Sequence, residues 1–161
     1  MNKKVGFITQ SAAIAALYIV LTVFISAFGL ASGVIQIRIS EALCILPYFS
    51  LSAVPGLFIG CLVSNLITGC ALWDVVFGSV ATLLGAIFTY LLRNKSKYIA
   101  PIPPIISNAV IIPFVLINVY GTKDAWWFLF LTVGIGEIIS CGIFGIILLN
   151  IIEKNKKLIF K

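Results

Sequence analysis

The sequence predicts an all-α integral membrane protein, a bundle of six transmembrane helices with both termini in the cytoplasm. Of its 161 residues, 61% are hydrophobic and only 10% are charged, and the mean hydropathy is +1.19. A spanning helix needs about 20 predominantly apolar residues, and runs of about that length follow one another along the chain. No polar segment long enough for a soluble domain separates them.

The net charge of +6 lies mostly in three short basic clusters, at residues 3–4, 93–97 and 154–161. Lys and Arg are enriched in cytoplasmic loops, so we place all three clusters on the inner side of the membrane. An even number of spans must then separate each cluster from the next. At about 20 residues a span, four lie between the first two clusters and two between the last two. This charge therefore predicts contact with a lipid bilayer and no nucleic-acid partner.

Glycine, proline and capping residues divide the chain into these spans. The segment 29–33, with a glycine at each end, ends the first span, and Ser40 and Asp124 are predicted N-caps of the second and sixth. Pro47 predicts a bend in the short second span, and Pro113 predicts a kink in the fifth. We expect one domain, residues 1–161, with approximate spans 5–30, 41–52, 55–70, 74–92, 100–120 and 125–152.

The first apolar run follows the basic residues 3–4, as the core of a signal peptide would. It is about 25 residues long, whereas such a core has about 7–15 residues. We therefore expect this run to remain as the first span.

Arg38 and Glu41 are charged residues inside an otherwise apolar region. A charge at the centre of a bilayer costs about 2.5–3.5 kcal/mol on insertion scales, so the default interpretation is a substrate or ion site. Two structural alternatives stay open. Arg38 could simply pair with Glu41 one turn away, and Asp74 could simply cap the fourth helix.

On the predicted topology, most polar residues lie in the outer half of the bundle, and two lie near mid-depth. A continuous ion path would need polar groups at all depths, so the pattern favours a cup that captures a solute from outside. Trp126 and Trp127 could instead form an interfacial aromatic belt. The candidate substrate-binding residues are Arg38, Glu41, Asn65, Trp73, Asp74, Asn108, Trp127 and Glu137.

Several functional classes lack their residues. The chain has no histidine, and its four cysteines form no C-x-x-C pair, so we expect no metal, no cofactor and no Cys–His nucleophile. We therefore expect no enzyme, although three acidic residues could serve a small membrane enzyme as general acid and base. The chain also has no G-x-x-x-x-G-K-[ST] phosphate loop and no internal repeat. A solute binder of this kind needs a partner that hydrolyses ATP.

Small residues recur every four positions on three of the predicted helices. Such stripes let helix backbones approach closely, either within the bundle or against a partner. We take Ala12 and Ala16 as candidates for partner docking. The two other stripes, Gly56-Gly60-Ser64-Thr68 and Gly78-Thr82-Ala86, could be used internally.

Residues 36–43, Gln-Ile-Arg-Ile-Ser-Glu-Ala-Leu, followed by Leu46-Pro47, resemble the signature of the queuosine-precursor transporter (QueT) family. A second run is similar, Gly56-x-x-x-Gly60-Cys61-x-x-x-Asn65, and so are later positions of the chain. The resemblance extends over nearly the whole chain. The later positions are Gly69, Asp74, Gly78 and Ala81-Thr82-Leu83.

The resemblance implies a substrate-binding S component of an energy-coupling factor (ECF) transporter. Such a component is a six-helix bundle that binds its solute near the outer face. The implied partners are a transmembrane coupling protein and two ATP-binding-cassette ATPases, docked through small residues of helix one such as Ala12 and Ala16. The segment 29–40 is a candidate lid over the solute.

The implied solute is a 7-deazaguanine such as preQ1, preQ0 or queuine, although an S component for another vitamin-like solute remains an alternative. A carboxylate would accept the N1–H and 2-amino hydrogens of the base as a charge-assisted pair, and Asn65 or Arg38 could donate to its O6. A second carboxylate would suit the cationic arm of preQ1. The candidates are Glu41, Asp74 and Glu137, and we expect Glu137 at the base edge because it lies deepest.

Overall fold

The computed structural model describes residues 3–28 and 37–155, and these residues are helical apart from their connecting turns and loops. Helix 2 is a 3₁₀ helix, and helix 6 is continuous but contains a π-helical segment, Ile138–Phe144. The six helices are Lys3–Ala27, Ile39–Tyr48, Ala53–Ile67, Leu72–Leu91, Ile102–Asn118 and Trp126–Lys154.

Four helical stretches are long and apolar enough to cross a membrane: helices 1, 4 and 6, and helix 5 together with the single 3₁₀ turn that precedes it. The ten residues of helix 2 rise about 20 Å, and the fifteen of helix 3 rise about 22 Å. Both values fall short of the hydrocarbon core, which is about 30 Å thick. The structure therefore agrees with a helical membrane bundle, while the count of six spans stays a prediction.

Helix 1 packs on helix 3 through a stripe of buried residues spaced three and four apart, as expected for one face of an α-helix. The glycines of helix 3 allow this contact. A Cβ atom on Gly56 would lie 2.7 Å from the carbonyl oxygen of Ser11, and one on Gly60 would lie 2.8 Å from the Cβ of Tyr18. These two glycines therefore serve packing inside the bundle, which is the internal use that we considered for this stripe.

Helices 4 and 5 are antiparallel neighbours in close contact. A Cβ on Gly85 would come within 2.6 Å of the Cα of Pro104, near the start of helix 5, and one on Gly78 would reach Ile112 further along that helix at 4.0 Å. As the residue number falls along helix 4 from Gly85 to Gly78, the facing position on helix 5 therefore rises from Pro104 to Ile112.

Polar contacts of the helix ends and their connecting loops define the two ends of the bundle. At one end, Gln10 Oε1 accepts hydrogen bonds from the hydroxyls of Ser50 at 2.9 Å and Ser52 at 2.6 Å. Lys97 pairs there with Glu153 at 2.8 Å, and this end carries the basic residues that we predict to be cytoplasmic. At the other end, the Tyr120 hydroxyl accepts a hydrogen bond from the N–H of Ala71 at 3.2 Å. We call these the inner and outer ends.

Three local predictions need correction. The N-cap of helix 2 is Arg38, not Ser40, whose hydroxyl accepts a hydrogen bond from Thr22 at 2.8 Å. The N-cap of helix 6 is Ala125, not Asp124, and no side chain caps that helix. The inner end also holds the polar group around Gln10, although we predicted that half to be almost wholly apolar. The break at 29–33 and most of the candidate lid lie outside the described residues.

Candidate functional site

Helix 2 places Glu41 inside the bundle, where it is 1% exposed. Residues three apart lie directly above one another in a 3₁₀ helix, so Cys44 reaches back and its thiol donates to Glu41 Oε2 at 3.0 Å. The phenol of Tyr18, from helix 1, donates to Glu41 Oε1. Both oxygens of this carboxylate are thus held by the protein itself.

Arg38 stands at the start of helix 2 and connects it to helix 6. Its backbone N–H donates to the hydroxyl of Ser140 at 3.1 Å, within the π-helical segment. Its guanidinium lies in electrostatic range of Glu41, Asp74 and Glu137. Among the described residues, however, Arg38 forms no ion pair with Glu41. The simple pair between these two residues, our structural alternative, is therefore wrong.

Glu137 and Asn108 form a second buried polar pair, and the two residues are 8% and 4% exposed. Glu137 closes the α-helical first part of helix 6, directly before the π-helical segment, and Asn108 faces it from helix 5. Within the described part of the chain, Glu137 Oε2 and Asn108 Nδ2 have no hydrogen-bond partner. A buried polar group left unpaired costs about 1–3 kcal/mol, so this acceptor and this donor, which face each other from helices 6 and 5, are the candidates to bind a polar ligand.

Asp74 lies in the first turn of helix 4, near the outer end, and is buried. The N-cap of this helix is Ala71, so the simple capping role that we considered for Asp74 is wrong. The phenol of Tyr120 donates to Asp74 Oδ2 at 3.1 Å. Burial raises the pKa of Tyr120, the N–H of Ala71 partly offsets this, and the negative charge of Asp74 raises the pKa further. The phenol therefore stays protonated and able to donate.

Gly78 packs closely against Asn65 beside this carboxylate. A Cβ at that position would lie 3.1 Å from Asn65 Nδ2 and 3.7 Å from Asp74 Oδ1. Asn65 is itself buried, and within the described residues its amide donates only to the Cys61 sulfur, at 3.6 Å. The structure thus brings together six of the eight candidate residues at the meeting of helices 2 to 6: Arg38, Glu41, Asn65, Asp74, Asn108 and Glu137.

The two candidate tryptophans lie apart from this cluster. Trp73 is 61% exposed and stacks on Phe77 at 5.9 Å, and Trp127 is 63% exposed and meets the edge of Phe128 at 6.2 Å. Their positions on the outer apolar surface suit the interfacial role that we weighed for Trp127. A contact of either residue with solute stays a prediction.

Sequence reasoning missed the residues that hold the charged cluster: Tyr18, Cys44, Tyr120 and Ser140. A signal existed for Tyr18, because it falls on the buried stripe of helix 1 and a buried phenol usually needs a hydrogen-bond partner. Buried cysteines usually act as small apolar residues, whereas the Cys44 thiol donates to Glu41. Tyr120 and Ser140 make their contacts over 46 and 102 residues of sequence, and no local pattern reveals these.

Comparison with known proteins identifies the family of this chain. The profile described as "QueT transporter" matches residues 8–154. A curated relative from Lactococcus lactis subsp. cremoris, named queuosine precursor transporter QueT, is 33% identical over 97 residues. That alignment covers 60% of this chain, and the chain spans only 56% of the relative's length. No solved structure matches. The match over nearly the whole chain shows that this multi-pass protein of the cell membrane belongs to the QueT transporter family.

Proposed function

We propose that this chain is the substrate-binding S component of an ECF-type transporter for a queuosine precursor. It captures a 7-deazaguanine such as preQ1, preQ0 or queuine from the outer side. The solute is released inward when partner ATPases hydrolyse ATP. The observation that carries the proposal is the pair Glu137 Oε2 and Asn108 Nδ2, which are buried and have no hydrogen-bond partner among the described residues.

The hydrogen-bonding groups of this pair are complementary to a guanine-like edge. Such an edge presents an acceptor, O6, beside two donors, N1–H and the 2-amino group. Asn108 Nδ2 would donate to O6 while the Glu137 carboxylate accepts from the donors, and hydrogen bonds to an ionised acceptor are about twice as strong as neutral ones. Hydrogen bonds from the solute would satisfy both protein groups, and a buried polar group left unpaired costs about 1–3 kcal/mol.

The outward face of helix 1 supports an energising partner. Ala12 and Ala16 are exposed, and they line a groove of about 480 Å³ between helices 1 and 3, with Phe7, Pro55 and Ile59 among its other residues. Small residues allow a partner helix to approach closely in the membrane. We propose that the transmembrane coupling protein docks here and that two ATP-binding-cassette ATPases drive it.

Equilibrium binding tests the solute. The purified chain, in detergent and without partner or ATP, is titrated with preQ1, preQ0, queuine and guanine. We expect one deazaguanine to bind at least tenfold more tightly than guanine. If none binds while the protein is folded, the queuosine precursor is the wrong solute, and binding of another vitamin would point to a different S component.

Recovery of the bound solute tests the enzyme alternative. The family is named for transport, which favours a protein that releases its solute unchanged. Mass spectrometry of the solute after prolonged incubation should return the starting compound. A chemically altered product would instead support a small membrane enzyme.

A further inference from the structure

The charged cluster is short of positive charge. It holds one cation, Arg38, and three carboxylates, Glu41, Asp74 and Glu137, so the carboxylates outnumber the cation. Arg38 is the one Lys or Arg between residues 5 and 92, and the next cations along the chain belong to the inner loop. Burying a charge without compensation is costly. A ligand that brings a positive charge would relieve this excess.

The three carboxylates differ in their partners. Glu41 already accepts hydrogen bonds at both oxygens, from Tyr18 and Cys44. Glu137 lies beside the unpartnered amide of Asn108 and suits the base edge. At Asp74, Tyr120 bonds Oδ2, and no hydrogen bond from the described residues reaches Oδ1. This leaves Asp74 as the carboxylate available to a cation.

The register of helices 4 and 5 fixes the spacing between Asp74 and the base-reading pair. Gly78 faces Ile112 across the two helices, and a Cβ on Gly78 would lie 3.7 Å from Asp74 Oδ1. Asp74 lies one turn outward of Gly78, and Asn108 lies one turn inward of Ile112. Because a helical turn rises 5.4 Å, Asp74 and Asn108 differ in depth by about 11 Å.

We propose that Asp74 binds a positively charged arm of the solute, so that the site selects a deazaguanine whose arm ends in an ammonium group. This inference rests on the proposed function. The depth of about 11 Å separates the backbone positions of Asp74 and Asn108, and the two side chains together with the solute bridge it. Tyr120 orients Asp74 by holding its second oxygen.

The test compares preQ1, whose arm ends in an ammonium, with preQ0, whose arm is a neutral nitrile. Binding of each is measured for the wild type and for Asp74→Asn, which keeps the side-chain size and removes the charge. We expect the wild type to bind preQ1 about 10- to 100-fold more tightly than preQ0, the range of a hydrogen bond to a charged group. Asp74→Asn should lose most of that preference while its affinity for preQ0 changes little.

Asp124→Asn is the matched control, since Asp124 is an exposed carboxylate of the outer loop between helices 5 and 6. It removes the same charge outside the site and should keep the preference for preQ1. A preference that survives in Asp74→Asn would overturn the assignment, as would equal loss in both variants.

Retained preQ0 binding shows that the Asp74→Asn variant is folded. If this variant binds neither solute, the wild type decides, because equal or tighter binding of preQ0 contradicts a site for a cation. If the wild type binds no deazaguanine at all, the proposed function fails and this inference fails with it. Binding of both solutes without discrimination overturns the inference alone.

Discussion

Tyr18 of helix 1 donates its phenolic hydrogen to Glu41 Oε1 of helix 2. Both side chains are almost fully buried, and the contact links two elements 23 residues apart. The hydrogen bond holds a carboxylate of the charged cluster against the helix whose opposite face carries Ala12 and Ala16. Because Tyr18 and Cys44 already donate to its two oxygens, we expect Glu41 to support the cluster rather than to contact solute.

Replacing Tyr18 with phenylalanine should destabilise the protein by about 1–3 kcal/mol, because a buried carboxylate oxygen would lose its donor. Unfolding in detergent, followed by temperature or denaturant, measures the change. Tyr48→Phe is the control, since the hydroxyl of that half-buried tyrosine makes no hydrogen bond within the described residues. Equal stability of the two variants would show that the Tyr18 hydroxyl does not support Glu41.

Replacing Gly60 with alanine should cost about 1–3 kcal/mol, the usual cost of overpacking. The added Cβ would lie 2.8 Å from the Cβ of Tyr18, so helices 1 and 3 must separate. The same unfolding assay reports the loss. At Gly134 the nearest atom to an added Cβ is 3.8 Å away, and Gly134→Ala should change stability little. An unaltered Gly60→Ala protein would contradict the close packing of helices 1 and 3.

Replacing Ala16 with leucine should block assembly with the coupling protein and leave solute binding intact, because the larger side chain fills the groove between helices 1 and 3. Co-purification of the coexpressed partner measures assembly. Ala13→Leu makes the same change at an exposed neighbour on helix 1 that does not line the groove, and should assemble normally. Assembly of the Ala16→Leu protein would show that the partner docks elsewhere.

The sequence allowed prediction of those features that depend on composition and local pattern. Apolar length predicted the helices, basic clusters predicted which loops share an end, and isolated charges predicted most of the polar cluster. The sequence did not predict that helix 2 is a 3₁₀ helix. A 3₁₀ helix of ten residues is uncommon, and this one depends on tertiary contacts such as the Tyr18–Glu41 hydrogen bond.

The sequence also did not allow prediction of the role of each carboxylate. In the sequence, Glu41, Asp74 and Glu137 are all isolated carboxylates in apolar surroundings. Their different environments arise from partners distant in the chain. Tyr18 and Cys44 hold Glu41, and Tyr120 holds one oxygen of Asp74. Trp73 shows the converse, because it adjoins Asp74 in sequence yet lies on the exposed surface. Neighbouring residues on one helix point in different directions, so proximity in sequence did not place both in the cluster.

We propose above all that Glu137 accepts hydrogen bonds from the edge of a deazaguanine, and Glu137→Gln tests this contact most directly. The substitution preserves size but removes the negative charge, so it should weaken binding of the preferred deazaguanine at least tenfold, the lower range for a charged hydrogen bond. Glu153→Gln, at the exposed inner end, is the matched control and should bind as the wild type does. Unchanged affinity in a folded Glu137→Gln protein would contradict the account.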